Sequence, residues 1–186
     1  MNTAVIGTGG IGSYLIGFLD KLISCDQLKG WKFTCYDDDK VETKNIIYQN
    51  FQSSDIDEYK TEALSTKYVY IDKYVHKRVG AEDLKKHDFV IICADNHVIR
   101  KEVYKSTLPF LDARCNGKTI GVFSRDTENY EKTLSDSVES ASCQYPYAVK
   151  NKEIDNGNII VASILSQCVL NFHRNKELPT DFIYSF

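Results

Sequence analysis

A glycine-rich turn set between an apolar run and an amphipathic stretch, close to the start of the chain, constrains the fold more than any other feature. Ala4-Val5-Ile6 leads into Gly7-Thr8-Gly9-Gly10-Ile11-Gly12, after which Leu15, Phe18, Leu19 and Leu22 continue from Ile11 at helical spacing. The pattern predicts a buried parallel strand over 3–6, a tight turn and a helix over 11–24. Glycines at such a junction allow the turn and let backbone N–H groups approach a phosphate, which also meets the positive end of the helix dipole. Gly7, Gly9 and Gly12 match the dinucleotide fingerprint, with Gly10 an additional glycine. Trp31-Lys32-Phe33-Thr34-Cys35-Tyr36 alternates as a second strand should, and delivers Asp37 to its carboxyl end. A Rossmann-like domain places there the acid that holds a ribose hydroxyl. Asp38 reads as a solvated turn residue.

The string Asp37-x-Asp39-x-Val41-x-x-x-Asn45-x-x-x-Gln49, following that turn, resembles the ThiF/MoeB family, which includes the ubiquitin-activating enzymes. Further segments fall in the family's order: Lys60 opening a helical stretch, a buried strand Phe89–Cys93 ending in Ala94-Asp95-Asn96, Arg100 one helical turn on, and Pro109–Ala113 leading to Gly117 and Gly121-Val122-Phe123. The match covers about the first two-thirds of the chain well and the rest loosely.

The resemblance implies an α/β, Rossmann-like, mostly parallel sheet with helices on both faces. It also implies ATP-dependent adenylyl transfer to the C-terminal carboxylate of a small β-grasp protein, either ubiquitin-like or a sulfur carrier. Carried over by residue, Gly7, Gly9, Gly10, Gly12, Asp37, Asp39, Asn45, Gln49, Lys60, Asp95 and Asn96 surround the nucleotide. Asp37 takes the ribose, Asn45 and Lys60 the phosphates, and Asp95 a Mg²⁺ ion, so that Lys60, Asn45 and Asp95 are the catalytic set. The family also implies a homodimer.

Two departures bear on activity. Tyr48 stands where the family has arginine in its Asn-x-x-Arg-Gln tail, and a phenol carries no charge and cannot form a guanidinium fork. Family members often carry a helix before the first strand whose arginine reaches the neighbouring protomer's ATP; the chain opens Met1-Asn2-Thr3, so that arginine is not expected from it. Losing one donor aimed at developing charge typically costs about 10²–10³ in rate. Arg100 and Arg114, near the carboxyl edge of the sheet, are candidates to compensate, and Arg100 reads equally as a helix-surface residue or an ion-pair partner. Two other readings therefore stay open: a catalytically reduced ATP-binding relative with a regulatory or assembly role, and an NAD(P)-binding oxidoreductase sharing only the turn.

The length of 186 residues predicts one substantial core and a single domain over 1–186. A formal charge of −3, with Lys85-Lys86-His87 and Lys73 to Arg78 as small mixed clusters, argues against nucleic acid as a partner. No apolar run reaches membrane-spanning length and no signal-peptide pattern is present, so cytoplasmic residence is expected. Among the six cysteines there is no Cys-x-x-Cys, and no zinc site is expected. Cys35, Cys93 and Cys168 read as core thiols, and Cys143 as a leftover structural cysteine in a polar loop that could accept an acyl group. Further strands are expected near 73–77, 88–93, 109–113 and 119–124, and helices near 59–70, 81–86, 97–106 and 158–173. Residues 41–58 are expected as a polar connection with a helical turn at Asn45, and 125–157 as an irregular crossover loop guiding the substrate's tail.

Overall fold

The computed structural model describes residues 1–134, 143–179 and 181–186. Seven strands form one sheet: β1 (Asn2–Ile6), β2 (Lys32–Tyr36), β3 (Lys73–Val75), β4 (Phe89–Ile92), β5 (Phe110–Asn116), β6 (Thr119–Ser124) and β7 (Asp181–Ser185). Their order is β3-β2-β1-β4-β5-β6-β7. The pairs from β3 to β5 are parallel, and β6 and β7 are added antiparallel at one side.

Alternation along the central strands divides the core in two. Val5, Phe33, Phe89 and Ile91 point to one face, and Ala4, Ile6, Val90 and Ile92 to the other. Every residue of β4 is buried, as expected of a parallel strand covered on both sides. The first face is covered by α1 (Gly12–Ser24), α2 (Lys60–Ser65) and α6 (Gly157–His173), through Leu15, Ile16, Leu19, Leu64, Val161 and Leu165. The second is covered by α3 (Ala81–Leu84) and α4 (His97–Lys105), with Leu84, Ile99 and Val103 joined by Tyr130. The doubly covered Rossmann-like sheet is the one the sequence pattern anticipates.

Three elements differ from expectation. α2 ends at Ser65 rather than running to residue 70: the hydroxyls of Ser65 and Thr66 donate to the carbonyls of Glu62 and Ala63, a local bonding that competes with helix propagation. β7 was not anticipated; all five of its residues are exposed, so it lacks the buried alternation that marks a strand, although Phe182-Ile183-Tyr184 has β-forming composition. A short α5 (Pro146–Asn151) opens with proline in its first turn, inside the stretch read as irregular. A 3₁₀ turn does form at Asn45–Ile47. Residues 135–142 of the expected crossover loop lie outside the described residues. Among the described residues no helix is long and apolar enough to cross a membrane.

The junction of β1 and α1 has no spare volume. Gly7 has φ +89°, and a Cβ there would stand 2.7 Å from the backbone nitrogen of Ala94, at the end of β4. A Cβ on Gly12 would lie 2.0 Å from the carbonyl oxygen of Gly7. Gly30, by contrast, has φ +82° with nothing within 4 Å of an added Cβ. Gly30→Ala is therefore expected to cost only the left-handed backbone strain, about 1–2 kcal/mol. Gly12→Ala must displace backbone and is expected to cost more than about 3 kcal/mol. Urea unfolding of the two variants measures the difference; equal losses would show that the turn relaxes.

Candidate nucleotide-binding site

The acid at the end of β2 is tied to the glycine turn. Asp37 Oδ2 accepts the backbone N–H of Thr8 at 2.6 Å and the Thr8 hydroxyl at 3.0 Å, while Oδ1 accepts the N–H of Asp39 at 2.9 Å. A carboxylate offers about four acceptor positions, so these three bonds leave room for one more donor. Asp37 thus shapes the turn as well as facing the space above it.

Lys60 reaches the same place from α2. The Lys60 N–H donates to the Asp39 carbonyl at 3.0 Å, and Lys40 bridges to Tyr59, so the start of α2 runs antiparallel beside the acidic stretch. The ammonium lies 2.7 Å from Asp39 Oδ2, with the lysine side chain 8% exposed and the aspartate side chain 62% exposed. Burial alone would lower the lysine's pKa, but Asp37 and then Asp39 outweigh it, and the pKa is raised. Tyr48, the residue at the position of the family's arginine, acts weakly in the same direction.

The 41–58 connection closes over the turn. Asn45 is buried; its Oδ1 accepts the Glu42 N–H at 2.8 Å, and its backbone carbonyl accepts from Tyr48 and Gln49. The NH₂ of its amide is then the end that suits a phosphate oxygen. Gln49 is also buried, and its Oε1 has no hydrogen-bond partner although it lies only 3.7 Å from where a Gly9 Cβ would be. An orphaned acceptor beside a glycine turn is an observation in favour of a donor-bearing ligand there. Asn158, in the first turn of α6, locks the arrangement: its Nδ2 donates to the carbonyls of Gly10 at 3.0 Å and Tyr48 at 2.8 Å. It had not been singled out as a site residue; its signal was a lone amide in the first turn of an apolar helix.

Asp95 stands on the other side, exposed, just beyond the β4 end that abuts Gly7. The N-cap of α4 is Asn96, whose Oδ1 accepts the Val98 N–H at 2.8 Å, so Asp95 does not act as the cap and Asn96 is committed to the helix. One exposed carboxylate beside the turn fits a Mg²⁺ ion that completes its shell with water and phosphate oxygens. Asp37, Asp38 and Asp39 also cluster, but exposed acidic groups commonly do so without an ion.

The two arginines considered as reinforcements are engaged elsewhere. Arg100 Nε donates to Asp112 Oδ1 at 3.0 Å and its NH2 group to the Ala94 carbonyl at 2.7 Å; the residue is buried, which removes the helix-surface reading and leaves the ion pair. Arg114 Nε donates to Asp112 Oδ2 at 2.7 Å, and its two terminal nitrogens to Thr133. The Tyr130 hydroxyl donates to Asp112 as well, at 3.0 Å. Asp112, fully buried in β5, therefore holds both guanidinium groups.

Cys143 is packed against the turn rather than free in a polar loop: a Cβ on Gly10 would meet its Sγ at 2.8 Å. Hydrogen bonding from Cys115 lowers its pKa, against burial and Asp95, with Arg100 and the Ile11 N–H also lowering it. The sequence neighbours of Cys143 gave no sign of Arg100, which approaches through the fold. Cys35, Cys93 and Cys168 are buried, and burial raises each thiol. Beyond Cys143 opens a cavity of about 330 Å³, bounded by the ends of β4, β5 and β6.

A family model described as "ThiF family" matches residues 1–184. The chain belongs to the ThiF family. Solved structures similar to it include E. coli MccB with MccA-N7isoASN, at TM-score 0.71 and 16% identity over 100% of this chain and 61% of that one. E. coli MccB with ATP aligns at TM-score 0.67 and 16% identity over 100% and 63%. Selenomethionine PaaA aligns at 0.68 and 16% over 100% and 60%. The chain spans less than two-thirds of each of these proteins, and at such identities the likeness is one of fold. No curated protein matches by sequence.

Asp112→Ala is expected to destabilise the protein by about 3–5 kcal/mol, because it leaves the buried Arg100 and the partly buried Arg114 without their shared anion. Urea unfolding checks this. A loss below about 1 kcal/mol would show that the arginines find other partners or water.

Proposed function

We propose that the chain is an ATP-dependent adenylyltransferase domain that activates the C-terminal carboxylate of a small ubiquitin-like or sulfur-carrier protein. The observation carrying this reading is Lys60: a buried, charged ammonium whose present partner, Asp39, is largely exposed, set beside Asp37 at the glycine turn. A buried cation with a replaceable partner is what a polyphosphate needs. Family membership and the ATP-bound form of E. coli MccB are in keeping with it.

In the reaction, a carboxylate oxygen attacks the α-phosphorus of ATP, the bond to the oxygen bridging the α- and β-phosphorus breaks, and pyrophosphate leaves with that electron pair. Asp37 fixes the ribose, which orients the α-phosphate in line with the carboxylate. Lys60 exchanges Asp39 for phosphate oxygens and offsets their growing charge. The NH₂ of Asn45 donates to a phosphate, and Gln49 Oε1 receives a donor from the nucleotide. Mg²⁺ beside Asp95 would screen the phosphates when bound. No residue of this set needs zinc or a thiol, and Cys143 is dispensable for adenylate formation. A homodimer in the cytoplasm and a β-grasp partner complete the reading.

One group of observations favours the catalytically reduced alternative: Tyr48 replaces an arginine, and Arg100 and Arg114 are both engaged by Asp112. The NAD(P) alternative has no comparable support, because hydride transfer does not require Lys60 at the turn.

Calorimetry is expected to show ATP bound in preference to NAD, with Asp37→Ala weakening ATP at least about tenfold. Because Asp37 also holds the Thr8 N–H, Asp37→Asn serves as a control that keeps an acceptor for it. ATP–pyrophosphate exchange with peptides bearing free C-termini is expected in the wild type and to be nearly abolished in Lys60→Ala. Exchange persisting at the wild-type rate without Lys60 refutes the mechanism; ATP binding with no exchange from any acceptor assigns the protein to the reduced class.

Tyr48→Arg is expected to leave exchange unchanged or raise it, since it restores the family's guanidinium fork beside the phosphates. A fall in exchange with ATP affinity intact would show that the phenol itself is required.

A further inference from the structure

Two thiols meet where the end of β5 passes the glycine turn. The Gly117 N–H donates to the Cys143 carbonyl at 2.9 Å, and the Cys115 thiol donates to that same carbonyl at 3.5 Å. Residue 143 is thereby held beside a strand end two residues from Cys115, and the two thiols hydrogen-bond to each other. Both are free, Cys115 buried and Cys143 half-buried. Both also line the cavity of about 330 Å³, which gives a small solute a way in.

Each sulfur also rests on a glycine tied to the turn. A Cβ on Gly10 would stand 2.8 Å from Cys143 Sγ, and one on Gly157 would stand 3.0 Å from Cys115 Sγ. Gly157 precedes Asn158, whose amide holds the carbonyls of Gly10 and Tyr48. The Ile11 N–H, at the start of α1, bonds to the Cys143 sulfur. A helix start favours the anionic form of a thiol, which is the form that attacks an oxidant. Cys143 is therefore the attacking sulfur and Cys115 the resolving one.

We propose that Cys115 and Cys143 are a site of reversible oxidation, closing to a disulfide under hydrogen peroxide, and that this disulfide shifts the glycine turn and weakens nucleotide binding. The Cys143 thiolate attacks one peroxide oxygen, the O–O bond breaks, and hydroxide leaves and takes up the proton that Cys143 gave up. Cys143 is then a sulfenic acid. The Cys115 sulfur attacks the sulfenic sulfur, the S–O bond breaks, and a second water leaves with the Cys115 proton. Two thiols lose two electrons, peroxide becomes two waters, and a dithiol reductant reverses the change. The new bond draws the sulfurs closer than contact, so it moves the packing on Gly10 and on Gly157 together, whereas loss of one side chain releases only one of them. The disulfide stands on the thiol geometry; its effect on the nucleotide rests on the adenylyltransferase reading.

The test uses the full chain with ¹⁵N-labelled glycine and with the exposed Cys25 changed, Cys25→Ser, so that molecules do not cross-link to one another. After one equivalent of hydrogen peroxide, peptide mapping by mass spectrometry is expected to find Cys115 joined to Cys143 with the loss of two hydrogens, restored by dithiothreitol. The amide signals of Gly10 and Gly157 are expected to shift, while those of Gly30 and Gly80, which have nothing within 4 Å of an added Cβ, stay in place. Calorimetry is expected to show ATP bound at least about fivefold more weakly by the oxidised form. In Cys115→Ser the same treatment is expected to leave no cross-link and carry Cys143 on to sulfinic acid. No cross-link in the parent chain, or one that joins other cysteines, overturns the site. A Cys115–Cys143 bond that leaves the Gly10 signal and ATP affinity unchanged overturns its link to the turn. If the reduced protein binds no ATP, the adenylyltransferase reading falls, and the cross-link with the Gly10 shift still upholds the disulfide while their absence rejects it.

Discussion

The absence of side-chain volume where β1 meets α1 is the constraint on which the other features depend. With hydrogen atoms at Gly7 and Gly12, the backbone at the end of β4 can approach the turn, and the first helical turn can fold back onto the Gly7 carbonyl. Asp37 then reaches across from β2 to take the Thr8 N–H. Three strand ends and one helix start are thereby brought to a single point, and each contributes a different chemical group. Any side chain at Gly7 or Gly12 would push those groups apart, so the turn is a condition of the site's geometry before it is a contact for any ligand.

The cations near that point fall into two kinds. Arg100 and Arg114 are held by a buried anion that cannot leave, since Asp112 sits inside β5 with three side chains bonded to it. Lys60 is held by an anion at the surface. Exchanging Asp39 for a phosphate costs little, because the aspartate returns to water already at its side, while the ammonium stays paired throughout. Exchanging Asp112 would strand charges in the interior. The same sequence inventory of basic residues therefore divides into structural and available charge only when the burial of the partner is known.

This division explains what could be read in advance. The glycine turn, the doubly covered sheet and the placement of Asp37 follow from local patterns: apolar runs, helical spacing and an acid at a fixed distance from the glycines. Lys60 was legible only through the order of motifs, and the structure supplies the antiparallel pairing of 39–41 with 58–60 that brings it in. Asp112 was hidden because an aspartate in Phe110-Leu111-Asp112-Ala113 reads as an interruption of a strand, and its partners lie 12 and 18 residues away for Arg100 and Tyr130. Asn158 and Cys143 were hidden for a related reason. Both contact Gly10 from the far end of the chain, Asn158 across a separation of 148 residues, and nothing in their own neighbourhoods encodes that meeting. β7 escaped because an edge strand exposed on all sides does not need an alternating pattern.

The turn also separates two environments of opposite character. On one side lie Asp37, Lys60, Asn45 and Gln49, a polar shelf with an orphaned acceptor and a charged ammonium. On the other lies a cavity walled largely by apolar side chains, where Arg100 and Arg114 share the single carboxylate of Asp112. A ligand confined to the shelf would leave the cavity unfilled; one confined to the cavity would leave Lys60 with only a surface aspartate. In the proposed reaction a phosphate and a carboxylate would meet beside this turn, near Gly10, the glycine where an added Cβ would strike Cys143. Two anions meeting at one backbone turn repel each other, and the N–H groups at the start of α1, together with Lys60, are the positive features placed to offset that repulsion. The fold thus supplies a reason for the order of its parts: the glycines bring the reactants close, and Lys60, buried with a surface partner, makes that closeness tolerable.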